Sequence, residues 1–167
     1  LRELQKDEDL ARIIIEVQKY SGEKPVLIKI APDLEDMQIR SIVDTARGLD
    51  CAGIIATNTT TKRPEESGIM LETGGLSGSP LRSRSTEIIR LIADHTDGGW
   101  PIIGVGGIST SEDAWEKIIN GASLVQIYSA MVFKGASVIK EIVNGLDKEL
   151  EKVGLDNLNQ AVGLARR

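Results

Sequence analysis

The strongest constraint on the fold is a strand pattern followed by a helix pattern, repeated four times along the chain. Short apolar runs bounded by turn residues predict strands at 25–30, 51–57, 101–105 and 123–127. Apolar residues at three- and four-residue spacing predict helices at about 35–47, 83–96, 111–120 and 137–153, and an earlier helix that ends near residue 21. Strands that alternate with helices form a parallel sheet covered by those helices, because each crossover is right-handed.

Composition supports an α/β protein and excludes several classes of function. The 167 residues suit one domain, and 41% of them are hydrophobic while only 3% are aromatic, a mixture typical of packed parallel strands and helices. The net charge of −5 and the interspersed charges provide no electrostatic footprint for nucleic acid. Cys51 and His95 are the only residues of their types, so neither a disulfide framework nor a zinc site is expected.

Polar residues at the first two predicted strands are candidates for a binding site. Ligands of α/β folds gather at the carboxyl ends of strands, where loops present side chains and backbone N–H groups. Lys29 lies inside the first strand, where a buried charge is costly unless an anionic or polar group compensates it. The second strand runs into residues 57–60, Thr-Asn-Thr-Thr, which suit a small, planar, polar ligand. Ordinary turn chemistry at the end of a strand explains this stretch equally well.

Two glycine clusters and a Tyr-Ser pair follow the second, third and fourth strands. Residues 74–78, Gly-Gly-Leu-Ser-Gly, would let backbone approach a ligand, although a lid or a plain turn fits the same letters. Gly106 and Gly107 close the third strand, and Tyr128 and Ser129 follow the fourth, before an expected helical turn at 130–133. Such loops form the recurrent phosphate site of (β/α)8 barrels. Because these glycines match neither the dinucleotide fingerprint nor a P-loop, we favour half of such a barrel over another α/β sheet.

Five motifs occur in the order found in the dihydroorotate dehydrogenase family, and together they cover essentially the whole chain. They are VLIKIAPDL, ATNTT, ETGGLSGSPL, PIIGVGGIS and GASLVQIYSA. Each motif alone is weakly specific, whereas five motifs in register at matching intervals are strongly specific. The chain therefore resembles the C-terminal half of the (β/α)8 barrel of this family, and the TNTT and GGLSGSPL forms resemble its quinone-linked class.

The resemblance implies an FMN-dependent enzyme that oxidises dihydroorotate to orotate in pyrimidine biosynthesis. Lys29 would lie near the N1/O2 edge of the flavin ring, where a cation stabilises the anionic reduced flavin. Asn58 and Thr59 would hydrogen-bond dihydroorotate or orotate. The other implied FMN contacts are Thr57, Ser77 and Gly78 along the cofactor, and Gly106, Gly107, Tyr128 and Ser129 around its phosphate.

The same resemblance implies that essential parts of the enzyme lie outside this chain. The family's serine general base belongs to a loop in the first half of the barrel, which would precede Leu1. The first four strands and the N-terminal helices through which quinone enters would also lie upstream. An isolated half barrel has open sheet edges, so we expect it to pair with the missing half or another copy and to be inactive alone. The complete protein would associate peripherally with the mitochondrial inner membrane or the bacterial cytoplasmic membrane.

Two other functions remain open on the sequence. A non-flavin phosphate-binding barrel, such as an aldolase or an isomerase, would use Lys29 for a Schiff base or for acid-base catalysis. A non-catalytic assembly domain would use the half sheet as a binding surface. A flavin absorption spectrum distinguishes the first alternative, and titration with FMN and orotate distinguishes the second.

Overall fold

Four parallel strands form one sheet in the computed structural model, which describes residues 7–63 and 73–166. The strands are β1 (Leu27–Ile30), β2 (Gly53–Ala56), β3 (Ile102–Val105) and β4 (Leu124–Gln126). They lie side by side in chain order, and the register places Ile54 between Ile28 and Ile102. The α/β class and the four predicted strands are confirmed, although each strand is shorter than predicted.

Helices precede and follow these strands as the apolar spacing predicts. They are α1 (Asp7–Ser21), α2 (Asp36–Gly48), α3 (Arg82–His95), α4 (Ser111–Ile119), α5 (Ser129–Lys134), α6 (Ser137–Val153) and α7 (Leu158–Ala161), with 3-10 turns at Ser79–Leu81 and Leu164–Arg166. The short helix α5 confirms the expected extra turn after the fourth strand. Helix α7 was not predicted, because four residues show too little periodicity to be recognised.

Helix α4 begins with a reciprocal pair of capping hydrogen bonds. Thr110 Oγ1 accepts a hydrogen bond from the Asp113 backbone N–H at 3.3 Å, and the Asp113 carboxylate accepts one from the Thr110 N–H at 3.1 Å. The predicted start of this helix at residue 111 is confirmed, because Ser111 is its first helical residue and Thr110 is the N-cap. The pair satisfies two N–H groups that no helical carbonyl can reach.

One face of the sheet is buried beneath helices and forms the main core. It carries Ile28, Ile54 and Ile102, each at most 8% exposed. Side chains of α2 and α3 that are at most 1% exposed cover it: Ile39, Ile42, Val43, Ala46, Ile88, Ile89 and Ile92. Since burial of one isoleucine side chain contributes about 1.5–3 kcal/mol, this layer supplies much of the stability that fixes the strands relative to the helices.

The opposite face of the sheet is partly open. Ile55 and Ile103 are half-buried on this face, Lys29 is exposed, and Leu124 is 61% exposed. Within the described ranges, the edge strands β1 and β4 each pair with a neighbouring strand on one side only. All four strands run in the same direction, so their carboxyl ends meet at one edge of the sheet, beside this open face.

Candidate functional site

A cavity at the carboxyl edge of the sheet brings together the ten residues to which the sequence analysis assigned a contact with cofactor or substrate. Its volume is about 590 Å³, and its lining includes Lys29 near the end of β1 and residues that follow β2, β3 and β4. The selected residues in its lining are Lys29, Thr57, Asn58, Thr59, Ser77, Gly78, Gly106, Gly107, Tyr128 and Ser129. These residues lie up to 100 positions apart in the chain, from 29 to 129, so the parallel topology is what gathers them.

Lys29 projects from β1 toward the cavity, and it is exposed. The sequence analysis expected Lys29 to be a buried charge that needs a compensating group, and this expectation of burial is wrong because the side chain is exposed in the described structure. The physical reason is the alternation of side chains along a strand. Ile28 and Ile30 point into the helix-covered core, at 8% and 1% exposure, whereas Lys29 points to the open face.

The stretch after β2 is anchored by backbone hydrogen bonds to both neighbouring strands. The Thr57 N–H donates to the Val105 carbonyl at 2.8 Å, and the Asn58 N–H donates to the Ile30 carbonyl at 2.7 Å. Asn58 Oδ1 accepts a hydrogen bond from the Thr59 N–H at 2.9 Å. Turn chemistry at a strand end is thus present here, and it holds Asn58 and Thr59 at the cavity rather than excluding a binding role.

Thr60 lies outside the cavity lining and instead connects this stretch to the glycine-rich loop. Its N–H donates to the Leu76 carbonyl at 3.1 Å, and the Leu76 N–H donates back at 2.7 Å. Its hydroxyl also donates to the Asp33 carboxylate. A Cβ on Gly75 would lie 2.0 Å from Thr59 Oγ1, so only glycine permits this close approach. The paired backbone directs the following residues, 77 and 78, toward the cavity.

A hydroxyl pair joins the second and fourth strand ends across the cavity. Ser77 Oγ and Ser129 Oγ lie 2.9 Å apart, at hydrogen-bonding distance. Gly78 has a φ of 86° and lies against Ser129, where its ideal Cβ would be 3.6 Å from the hydroxyl. Tyr128 is 73% exposed beside this pair. The pair offers two hydroxyl groups that can each donate and accept a hydrogen bond.

The turn after β3 fits closely against the first residue of α3. Gly106 and Gly107 have φ angles of 121° and 73°, and a Cβ on Gly107 would lie 2.5 Å from the Arg82 Cα. Ser85 Oγ donates to the Val105 carbonyl at 2.8 Å, which fixes the end of the strand. This turn can present backbone N–H groups to an anion without a side chain between them.

Similarity to known proteins identifies the family. The family model described as dihydroorotate dehydrogenase matches residues 1–150. The chain belongs to the dihydroorotate dehydrogenase family. It is 47% identical over 177 residues to dihydroorotate dehydrogenase (quinone) of Trichodesmium erythraeum (strain IMS101), an alignment that covers 100% of this chain and 47% of that protein. The protein of the same description from Halobacterium salinarum is 47% identical over 168 residues, with 98% and 46% covered.

Solved structures of the dihydroorotate dehydrogenase family show the same architecture. Ligand-free DHODH from Eimeria tenella superposes with a TM-score of 0.92 at 36% identity, over 100% of this chain and 52% of that chain. The complex of DHODH from Eimeria tenella with ferulenol gives a TM-score of 0.91 at 35% identity, and the match covers 99% of this chain and 50% of that chain. The chain thus spans about half the length of the relatives it matches, and its four βα units correspond to half of their (β/α)8 barrel.

Several residues that support the cavity in this family member were not found from the sequence. Asp113 accepts hydrogen bonds from Ser109, which lines the cavity, and the exposed Lys134 donates to the Ser109 carbonyl at 2.8 Å. Lys117 is fully buried between α3 and α4. The Thr-x-x-Asp spacing of residues 110 and 113 is a capping signal that could have revealed Asp113. No local pattern marks Lys117, because a lysine in a helix normally faces solvent.

Neither a metal centre nor a membrane span is found in the part of the chain that the structure describes. Within residues 7–63 and 73–166, no group of three His, Cys, Asp or Glu side chains is placed to hold a metal ion. No helix in these ranges combines the length and the apolar character needed to cross a bilayer.

Proposed function

We propose that this chain is the C-terminal half of an FMN-dependent, quinone-linked dihydroorotate dehydrogenase, which oxidises dihydroorotate to orotate. The observation that carries the proposal is the convergence of ten residues, from all four strand ends, on one cavity in a chain of this family. The relatives named dihydroorotate dehydrogenase (quinone), at 47% identity, support the quinone-linked class.

The residues around the cavity fit the chemistry of FMN. A phosphate needs N–H and hydroxyl donors, and the turn at Gly106 and Gly107 lies beside the Ser77–Ser129 hydroxyl pair. Lys29 and Lys134 line the same cavity and add positive charge for an anionic group. When bound, FMN would supply the acceptor for the hydride that dihydroorotate loses.

The ten selected residues divide into four proposed roles. Gly106, Gly107, Tyr128 and Ser129 hold the phosphate, Thr57, Ser77 and Gly78 line the cofactor, and Asn58 and Thr59 hydrogen-bond the substrate. Lys29 places a cation at the edge of the flavin ring, which stabilises negative charge there. No general base is assigned within this chain, and we propose that a serine of the other barrel half removes the substrate proton.

The other barrel half is the partner that we propose for the open surfaces. Apolar side chains are exposed on helices at both ends of the sheet, including Val17 at 48% on α1 and Val132 and Phe133 at 66% and 87% on α5. Residues of this kind on opposite edges suit a partner that closes the sheet into a barrel. Quinone would enter through the N-terminal region, and the complete protein would associate peripherally with a membrane, either the bacterial cytoplasmic membrane or the mitochondrial inner membrane.

The proposal is tested on the purified complete polypeptide, which contains both proposed barrel halves. We expect a flavin absorption spectrum that bleaches when dihydroorotate is added without oxygen and returns when quinone is added. Lys29→Ala should slow bleaching by about 10²-fold, since it removes one preorganised charge from the developing anion. Lys148→Ala, an exposed lysine on α6, serves as the control and should bleach at the parent rate.

Other outcomes favour the alternative functions. A colourless protein that cannot be reconstituted with FMN would refute the flavin assignment and favour a non-flavin barrel enzyme. A protein that binds neither FMN nor orotate, even with both halves present, would favour an assembly domain. The isolated 167-residue chain should show no dihydroorotate-dependent dye reduction, and turnover by it would contradict the assignment of the base to the other half.

A further inference from the structure

Asp113 makes more contacts with the turn after β3 than a helix cap requires. A capping residue at its position needs only one bond, to the N–H of Thr110. Its Oδ2 accepts that bond at 3.1 Å and two more from Ser109, from the backbone N–H at 2.9 Å and from the hydroxyl at 3.0 Å. Asp113 is 3% exposed, and Ser109 lines the cavity. The carboxylate therefore restrains a residue of the cavity wall.

The other oxygen of Asp113 connects the turn to helix α3. Asp113 Oδ1 lies 2.8 Å from Arg82 Nε, and Gly107 packs against the backbone of the same arginine. The buried Lys117, one helical turn after Asp113, donates to the Arg82 carbonyl at 2.6 Å. The turn is thus held from two sides, by the backbone of Arg82 and by the carboxylate of Asp113.

We propose that Asp113 is a positioning residue for the phosphate of FMN, because it holds the turn at 106–109 in the conformation that presents backbone N–H groups to the cavity. The proposal rests on the proposed function, since it needs FMN in this cavity. It assigns Asp113 no contact with the cofactor. Arg82 neutralises the carboxylate, which allows an acidic residue to stand close to an anion-binding turn.

A positioning role for Asp113 and simple electrostatics predict opposite effects of Asp113→Asn on the affinity for FMN. Asp113→Asn removes a negative charge near the phosphate, so electrostatics alone would strengthen FMN binding. The amide oxygen can accept the bonds from Ser109 and Thr110 in place of Oδ2, but the amide nitrogen is then a donor that faces Arg82, so the link from the turn to α3 is lost. If Asp113 positions the turn, FMN binding becomes weaker.

The test compares FMN with riboflavin, which has the same ring and no phosphate, on the complete polypeptide. Flavin fluorescence gives the dissociation constant of each ligand. The titrations are made at a temperature well below the unfolding midpoint of every variant. We expect Asp113→Asn to weaken FMN binding about tenfold, the effect of one hydrogen bond to a charged group, and to change riboflavin binding less than about twofold. Glu116→Gln is the matched control, because Glu116 also pairs with Arg82, at 3.3 Å, and should change neither constant.

A second variant keeps the test decisive if Asp113→Asn does not fold. Ser109→Ala removes only the 3.0 Å hydroxyl bond to the carboxylate and should weaken FMN about twofold to threefold, again selectively over riboflavin. Tighter or unchanged FMN binding in the variants, or equal weakening of both ligands, overturns the positioning role. A parent protein that binds no FMN overturns the proposed function itself, so the two failures are distinguishable.

Discussion

Lys117 should make the stability of the protein rise with pH in the alkaline range. Its side chain is fully buried, and its Nζ donates to the Arg82 carbonyl and to Thr86 Oγ1 at 2.6 and 2.5 Å. Burial lowers the pKa of Lys117 from 10.5 to about 8, and the nearby carboxylates of Glu116 and Asp113 offset this effect only in part. The folded protein thus releases this proton more readily than the unfolded chain.

The sign and size of the effect follow from the two pKa values. Between pH 8 and 10.5 the unfolded chain holds the proton and the folded chain does not, so the free energy of unfolding increases as the pH rises. The whole difference is worth about 3.4 kcal/mol, at about 1.36 kcal/mol for each pH unit. About 2.5 kcal/mol of it should appear between pH 7 and 10.

Lys117→Met isolates this contribution, because methionine has a similar length and no titrating group. We would measure urea unfolding of the complete polypeptide and the variant at intervals from pH 7 to 10. The free energy of unfolding of the parent should rise by about 2.5 kcal/mol relative to that of Lys117→Met over this range. The lost hydrogen bonds lower the variant's stability equally at every pH. Lys148→Met, which removes an exposed lysine, is the control. If the parent and Lys117→Met differed in free energy of unfolding by the same amount at every pH, the reasoning would be refuted.

Two further substitutions test the turn and the core. Gly107→Ala would place a Cβ 2.5 Å from the Arg82 Cα, so it should lower the unfolding temperature and abolish FMN retention. The control is Gly154→Ala, where φ is also positive but the surrounding space is open. It should lower the free energy of unfolding by about 1 kcal/mol and retain FMN. Ile54→Ala should cost about 2–5 kcal/mol in urea unfolding, because the side chain is completely buried. Equal losses from Ile54→Ala and from Met37→Ala, which is 78% exposed, would contradict the assignment of the core face.

The order and the class of the elements were accessible from local patterns. The helix predicted at 35–47 rests on apolar residues at three- and four-residue spacing, and these are the buried residues of α2: Ile39, Ile42, Val43 and Ala46. Short β-branched runs located all four strands, because a parallel strand covered by helices needs continuous apolar character. The ends of the strands were less accessible, since the ladder stops where backbone hydrogen bonds turn to other partners, such as Cys51 N–H to the Ala46 carbonyl.

Predictions about the environment of single residues were less reliable. The sequence shows Lys29 between two isoleucines and suggests burial, but alternation along the strand places it on the open face. The sequence analysis did not select Lys117, because a lysine in an amphipathic helix normally faces solvent, and the packing of α3 against α4 is what buries it. In both cases burial depends on which elements lie opposite each other.

Motif order and apolar periodicity by themselves indicated the family, the four βα units and the candidate residues of the site. Only the tertiary structure decided that these residues share one cavity, and which side chains hold its walls. The reason is the range of the interactions. Periodicity reports on neighbours within about one helical turn, whereas Ser77 with Ser129 and Lys117 with Thr86 pair residues 52 and 31 positions apart. Such pairs form only after the parallel sheet and its helices have packed together.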